Sequence, residues 1–268
     1  MRLFLIRHAE SEHNVAQLLA GATDSALTNH GMLQVGAVAE YFKSNSINFD
    51  RVFASDLSRA RNTALGICQK QLHNQHGEPL LTPIISSDLR ERSYGSLEGK
   101  PWQKSARATE DPATAVDSET VLSMRKRAIS FLNEHILPSL FESPDADTNI
   151  AIVSHGGFLR VFWNRLVELF DPMNISLATG VESSDSGPAA FILPSWSNTG
   201  FMELSIQPGQ GNTGDTHPDP EVLLNGWIMK IIAVDSKEHL NGLHRTRGGI
   251  GSAKHDSRQK NLDQFFKK

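Results

Sequence analysis

Two arginines and two histidines occupy equivalent places in this chain. Arg7 and His8 follow the apolar run Arg2–Ile6, Arg59 comes just after Arg51–Ala54, and His155 follows Asn149–Val153. Such short apolar runs, bounded by polar or Gly-containing turns, read as buried parallel strands. Ligands of open parallel sheets bind beyond the carboxyl ends of the strands, so these side chains should converge although they are remote in sequence. A cation at a helix start opposes the positive end of the helix dipole, at a cost of about 0.3–1 kcal/mol. An anionic ligand removes the conflict, and backbone N–H groups with arginine forks suit a phosphoryl group. Alone, an arginine at a helix start is a solvated side chain and a histidine in SHGG is a turn residue. Three strand exits that each deliver Arg or His point instead to one anion site.

The elements that must position these residues follow from the same grammar. Helical patterns over Thr28–Lys43, Leu57–Gln71 and Ser118–Leu140 supply the crossovers between strands, which makes this an α/β protein with a mostly parallel central sheet flanked by helices. Thr28 and Ser118 suit N-cap positions, and Pro138 is expected to help end the third helix. From Asp171 the texture turns to Ser, Gly, Pro and Asn, with strand-like islands at Ala189–Leu193, Gly200–Ile206 and Trp227–Val234; Gln207–Glu221 reads as an exposed loop. From His244 apolar periodicity is lost, so residues 1–243 form the expected domain and 244–268 a tail outside it.

Composition bounds the rest. The chain has 268 residues, 39% of them hydrophobic, enough to fold without disulfide or metal staples. Its single Cys68 cannot form an internal bridge, and the HxxH spacing of His73 and His76 has no third ligand in view, so no metal or organic cofactor is expected. The first apolar run stops at Arg7, too early for a signal-peptide core, and no stretch approaches a membrane span, so the expected location is the cytoplasm, with the nucleus as an alternative. A formal charge of −4 gives no global attraction to nucleic acid or membranes. That total divides unevenly, since residues 244–268 hold seven Lys or Arg against two Asp. The phosphate site is therefore expected to be a small cationic pocket in an acidic body.

The stretch Leu5-Ile6-Arg7-His8-Ala9-Glu10-Ser11-Glu12-His13-Asn14 resembles the nucleophile signature of the histidine phosphatase (phosphoglycerate mutase-like) superfamily. Gly21-Ala22-Thr23-Asp24 with Leu27-Thr28-Asn29-His30-Gly31, Ser55-Asp56-Leu57-Ser58-Arg59-Ala60 with Thr63-Ala64, Leu89-Arg90-Glu91, and Val153-Ser154-His155-Gly156-Gly157 match further blocks in the same order. The resemblance implies that His8 attacks phosphorus to give a phosphohistidine, which requires a neutral imidazole with one N–H held by a backbone carbonyl. It implies that Arg7, Asn14, Arg59 and His155 grip the phosphoryl oxygens, and that Glu91 serves as acid and then as base. Without the resemblance Glu91 would read as a solvated charge between two arginines. Position 9 departs from the family's usual glycine; the added Cβ of Ala9 is expected to crowd the phosphate from one side and slow the reaction.

The RHAESEHN and SHGG blocks resemble the mutase and small-phosphatase branch. The short segment Lys100–Asp117 does not resemble the insert by which mutases close over the intermediate, so hydrolysis is expected, with mutase-type transfer as the alternative. Leu89–Gly95 with Leu97–Lys100, Ser118–Thr120, Asn198–Gly200 and His239–Leu243 are similar to fructose-2,6-bisphosphatases of the TIGAR type. That similarity implies a small phosphorylated metabolite, a sugar bisphosphate among the candidates, contacted by Gly21, Arg92, Tyr94 and Gly156. Loop packing is the simpler role for Arg92 and Tyr94.

The last residues carry a second signal. Gln259, Leu262, Phe265 and Phe266 fall in the register of a sliding-clamp-binding PIP box, Q-x-x-[LIM]-x-x-[FY]-[FY]. One helical turn would present Leu262 and the two phenylalanines as an apolar plug with Gln259 at its rim. Two roles stay open: binding a clamp, or docking the rings on the parent domain. A further alternative is a phosphatase-like binding protein recruited through this peptide, although none of Arg7, His8, Arg59, Glu91 and His155 is missing.

Overall fold

In the computed structural model, the structure describes residues 1–71, 81–102, 117–142, 147–181, 194–209, 224–245 and 249–256. The elements are β1 (Arg2–Arg7), α1 (Glu12–Ala16), α2 (Asn29–Ser44), β2 (Arg51–Ser55), α3 (Ser58–Gln69), β3 (Ile84–Ser86), α4 (Val121–Phe131), α5 (Leu137–Glu142), β4 (Asn149–Ser154), α6 (Gly156–Val167), β5 (Ile175–Leu177), β6 (Phe201–Pro208) and β7 (Trp227–Ser236). The seven described strands form one sheet in the order β3-β2-β4-β1-β6-β7-β5. Pairings β3–β2, β2–β4, β4–β1 and β7–β5 are parallel, whereas β1–β6 and β6–β7 are antiparallel. The expected mostly parallel α/β sheet is thus the one observed.

The central strands read as unbroken apolar runs because both faces of the sheet are covered. Along β1, Leu3 and Leu5 enter the core shared with Phe158, Phe162 and Trp163 of α6 and Phe131 of α4. Phe4 and Ile6 point the other way, into Val38 and Phe42 of α2 and Ala60, Ala64 and Ile67 of α3. Register then sets the site. Ala54 of β2 pairs with Val153, and Arg7 pairs with Ser154, so three parallel strands end at one level.

Several local expectations need correction. Pro138 does not end its helix: the wide turn Leu132–Ile136, closed by Leu137 N–H donating to Leu132 O, comes just before it, and α5 runs on to Glu142. A widened turn gives room to a ring that has no N–H to donate. The N-cap of α4 is Thr120, whose hydroxyl accepts from Ser123 N–H, rather than Ser118, whose hydroxyl donates to Tyr94 O. Strands β3 and β5 were not anticipated, being three residues each and too short to show a period. Beyond the expected boundary at residue 243, Arg245 bonds to Glu10 after β1, and residues 249–256 bond to Leu27 and Asn29 at the start of α2. Ala189–Leu193, the middle of the expected 207–221 loop, His73, His76 and the 259–266 motif lie outside the described residues.

Candidate active site

The nucleophile candidate sits at the exit of β1. His8 is buried, and its Nδ1 lies 2.7 Å from the carbonyl oxygen of Ala9. A carbonyl only accepts, so the proton is on Nδ1 and Nε2 carries the lone pair. Burial, then the charges of Arg59 and Arg7, hold His8 well below the ordinary imidazole value, against a smaller opposing effect of the Ala9 bond. The ring is therefore neutral near pH 7 and able to attack phosphorus.

His155, at the N-cap of α6, is fully buried with its ring centre 5.0 Å from that of His8. Among the described residues, neither of its ring nitrogens has a hydrogen-bond partner. Burial, Arg59, His8, Arg7 and Arg127 all lower its pKa, in that order. Arg59 is held by the carbonyls of Gly21 (2.7 Å) and Thr23 (2.9 Å), and Arg7 by that of Trp196 (2.5 Å). Each guanidinium keeps a buried Nε without a partner among the described residues. Those two Nε–H groups and the one N–H of a neutral His155 are three buried donors near His8 with bonds unmade, which suits an anion, since orphaned buried donors are otherwise costly.

Glu91 completes the group from the loop after β3. Its carboxylate accepts from Gly157 N–H (2.9 Å), Phe158 N–H (3.0 Å) and Arg92 N–H (2.8 Å), which places it at the N-terminus of α6. The loop is pinned on three sides: Arg90 forks onto Asp56, Ser154 Oγ donates to Leu89 O, and Arg127 donates to the carbonyls of Asp88 and Arg90. Two first-turn N–H groups of α6, at Gly157 and Phe158, expected to be open to phosphate, are thus committed to Glu91. The first N–H of α3, at Ser58, is likewise committed to Asp24. Oxyanion contacts fall to side chains instead.

The remaining nominated residues divide. Asn14 is in the site, with its Oδ1 accepting from Ser11 N–H and Asn198 Nδ2, and it lines a cavity of about 340 Å³ with Arg7, His13, Gln17, Leu18, Trp102 and Asn198. Gly21 acts through its carbonyl and has φ +46°; a Cβ there would lie 2.4 Å from Glu98 Oε1. At the α6 terminus Gly157 is the tighter position than Gly156, because its Cβ would meet Glu91 Oε1 at 2.5 Å. Arg92 donates to the carbonyl of Glu119 and stacks 5.5 Å over the Tyr94 ring, and burial pushes the Tyr94 hydroxyl up to about 12. Ala9 is fully buried in a small cluster with Leu27 and Val35, so its methyl packs there rather than crowding the phosphate. Gln259, Leu262, Phe265 and Phe266 lie outside the described residues.

Four supporting residues were not singled out from the sequence. Asn198 Nδ2 donates to both His8 O and Asn14 Oδ1, and Trp196 O holds Arg7. Thr63 Oγ1 accepts from Ala9 N–H and donates to Arg59 O. Glu98 accepts from Ala22 and Thr23 N–H, the Thr23 hydroxyl and Tyr94 N–H, so it holds the loop whose carbonyls hold Arg59. Thr63, Glu98 and Asn198 stand inside the quoted blocks; Trp196 stands in a turn with no periodic signal. Among the described residues, no three His, Cys, Asp or Glu side chains come together to hold a metal ion, and no helix is long and apolar enough to cross a membrane.

Comparison with known proteins agrees with this geometry. The family model of the histidine phosphatase superfamily (branch 1) matches residues 3–178. A probable phosphatase of Schizosaccharomyces pombe is 29% identical over 267 residues, 98% of this chain and 79% of that protein. The fructose-2,6-bisphosphatase TIGAR B of Danio rerio is 31% identical over 197 residues, 62% of this chain and 74% of its own. Among solved structures, a mycobacterial glucosyl-3-phosphoglycerate phosphatase has the same fold, with a TM-score of 0.62 at 20% identity over 88% of this chain and 99% of that one. Strand-end histidines, buried arginines and matched sequence thus lead to one conclusion: this chain belongs to the histidine phosphatase superfamily, branch 1, and is a phosphatase of that family.

Proposed function

We propose that the chain hydrolyses a small phosphorylated metabolite through a phosphohistidine on His8. In the first step Nε2 of His8 bonds to phosphorus and the ester P–O bond breaks, with Glu91 supplying a proton to the departing oxygen. In the second, Glu91 takes a proton from water, the water oxygen bonds to phosphorus, and the P–N bond to His8 breaks. Arg7, Arg59, His155 and the amide of Asn14 stabilise the phosphoryl oxygens as charge redistributes. The observation that carries this reading is the ring of unpartnered buried nitrogens on Arg7, Arg59 and His155 around a neutral His8.

For the substrate, a sugar bisphosphate such as fructose-2,6-bisphosphate is the reading we favour. The likeness to the zebrafish bisphosphatase supports it, as does the polar cavity beside Arg7, whose volume of about 340 Å³ suits a sugar ring. A panel of sugar phosphates, sugar bisphosphates and phosphoglycerates, with phosphate release followed for wild type and His8→Ala, tests it. Preference for a sugar bisphosphate by kcat/KM supports the reading; no His8-dependent turnover on any compound overturns it. Phosphoryl transfer to a second metabolite, with no phosphate released, would identify mutase chemistry instead.

We further infer that Gln259, Leu262, Phe265 and Phe266 bind a sliding clamp, which would place some of the protein in the nucleus beside a cytoplasmic pool. The motif register and the basic charge of the last residues support this. Calorimetric binding of a peptide spanning Ser257–Lys268 to the clamp at tens of micromolar tests it, with a known clamp peptide as control. No heat from the test peptide overturns it.

A further inference from the structure

The chain's last described stretch is tied to the loop that carries the nucleophile. Asn29 N–H donates to Ala253 O (3.0 Å), Asn29 Nδ2 to Ile250 O (2.9 Å) and His255 N–H to Leu27 O (3.0 Å), while Thr28 and Lys254 form an isolated antiparallel bridge. The residues gripped in this way are those that hold Glu10. Thr28 donates to Glu10 twice, from its N–H to the main-chain carbonyl (3.1 Å) and from its hydroxyl to Oε1 (2.7 Å). Arg245 closes the circuit, its guanidinium donating to Glu10 Oε2 and to Ser252 Oγ.

Glu10 is buried and stands two residues past His8. Its N–H, which donates to Gln34 Oε1, belongs to the same planar peptide as the Ala9 carbonyl that orients the His8 ring. Any tilt of that peptide moves the oxygen to which His8 Nδ1–H is bonded. The approach of α2 leaves no slack, since a Cβ on Gly31 would lie 2.1 Å from Glu10 O. Without Arg245, the Glu10 carboxylate would be a buried charge with one hydroxyl as its partner, and it would be drawn toward water.

We propose that Arg245 is a positioning residue for His8, acting through Glu10, and that Arg245 together with residues 249–255 fixes the nucleophile loop against α2. The inference rests on His8 as nucleophile and goes beyond it, assigning a catalytic consequence to a residue 235 positions away from its partner. Arg245 is itself half-exposed and bonds to Glu10 and Ser252, neither of which is assigned to the phosphate, so its loss should alter the reaction step rather than substrate binding.

The test uses the full chain with p-nitrophenyl phosphate as probe. Arg245→Ala should lower kcat about tenfold with KM within about twofold, because a small misplacement of a reacting group acts on the chemical step. Arg245→Lys should recover much of that loss, and Glu10→Gln combined with Arg245→Ala should be no worse than Arg245→Ala alone. Unchanged kcat in Arg245→Ala overturns the inference. So does a fall in kcat that disappears once rates are divided by the folded fraction, measured by thermal melting. Turnover that survives His8→Ala would overturn the functional reading and this inference together, whereas His8-dependent turnover indifferent to Arg245 overturns this inference alone.

Discussion

The imidazoles of His8 and His155 lie 5.0 Å apart at an interplanar angle of 57°, both buried beside Arg7 and Arg59. Two rings so placed cannot both be charged, and burial and the arginines hold each well below the ordinary value of 6.5. In the unfolded chain they take up protons near that ordinary value. Their contribution to stability is therefore present above about pH 6.5 and is lost as pH falls toward the folded-state values. Thermal midpoints should fall between about pH 7 and pH 5, and His155→Gln should flatten the slope. It should not abolish it, because His239, pushed down to about 4 by burial, titrates in the same sense. A midpoint that rises on acidification would contradict this arrangement. Added inorganic phosphate should raise the midpoint, since it binds only the folded state.

Gly157→Ala should separate Glu91 from its helix. The new Cβ would lie 2.5 Å from Glu91 Oε1, and the carboxylate cannot retreat without giving up Gly157 or Phe158 N–H. Because a positioned proton donor is worth about 10²–10⁴ in rate, kcat on alkyl phosphates should fall by about 10² or more. The loss should be smaller on p-nitrophenyl phosphate, whose leaving group needs little protonation. Equal losses on both would point away from Glu91 as the proton donor.

Much of this was legible in the sequence, for a physical reason. Strands covered on both faces leave continuous apolar runs, and the residues after them meet wherever parallel strands end together; Arg7, His8 and His155 needed nothing more. Glu91 was not legible from pattern alone, because β3 is too short to announce the loop that delivers it. Trp196 and Asn198 act through backbone and amide contacts made across the fold, and turn sequences carry no period that would place them. Residues 249–255 carry no apolar period because they are held by hydrogen bonds to Leu27 and Asn29 rather than by an apolar face.

Glu98 supplies a third test. It holds the loop that presents the carbonyls of Gly21 and Thr23 to Arg59, and it touches no reacting atom. Glu98→Ala leaves the Ala22 and Tyr94 N–H groups without the carboxylate they donate to, while Thr23 N–H keeps the Ala20 carbonyl, and this should destabilise the fold by about 1–3 kcal/mol. Arg59 loses its fixed seat as well, so phosphate affinity, read by calorimetry on the folded protein, should weaken. Denaturation and phosphate titration that both match wild type would count against the Glu98 clamp.

Ala9→Gly addresses the departure from the family signature. The methyl is enclosed with Leu27 and Val35, so its removal should cost about 1 kcal/mol of stability through lost packing and added chain entropy. The rate should stay within about twofold, since the methyl is enclosed by Leu27 and Val35. A large rise in kcat would show that Ala9 does obstruct the site.

On the proposed route, His8 becomes covalently phosphorylated during turnover. Rapid quenching of the wild-type enzyme with a radiolabelled phosphate ester, followed by peptide mapping, tests it most directly. The expected result is a phosphoryl adduct that is labile in acid and stable in base, located on the peptide containing His8, and absent from His8→Ala. Turnover at a normal rate with no label on that peptide, or label that persists in His8→Ala, would contradict it.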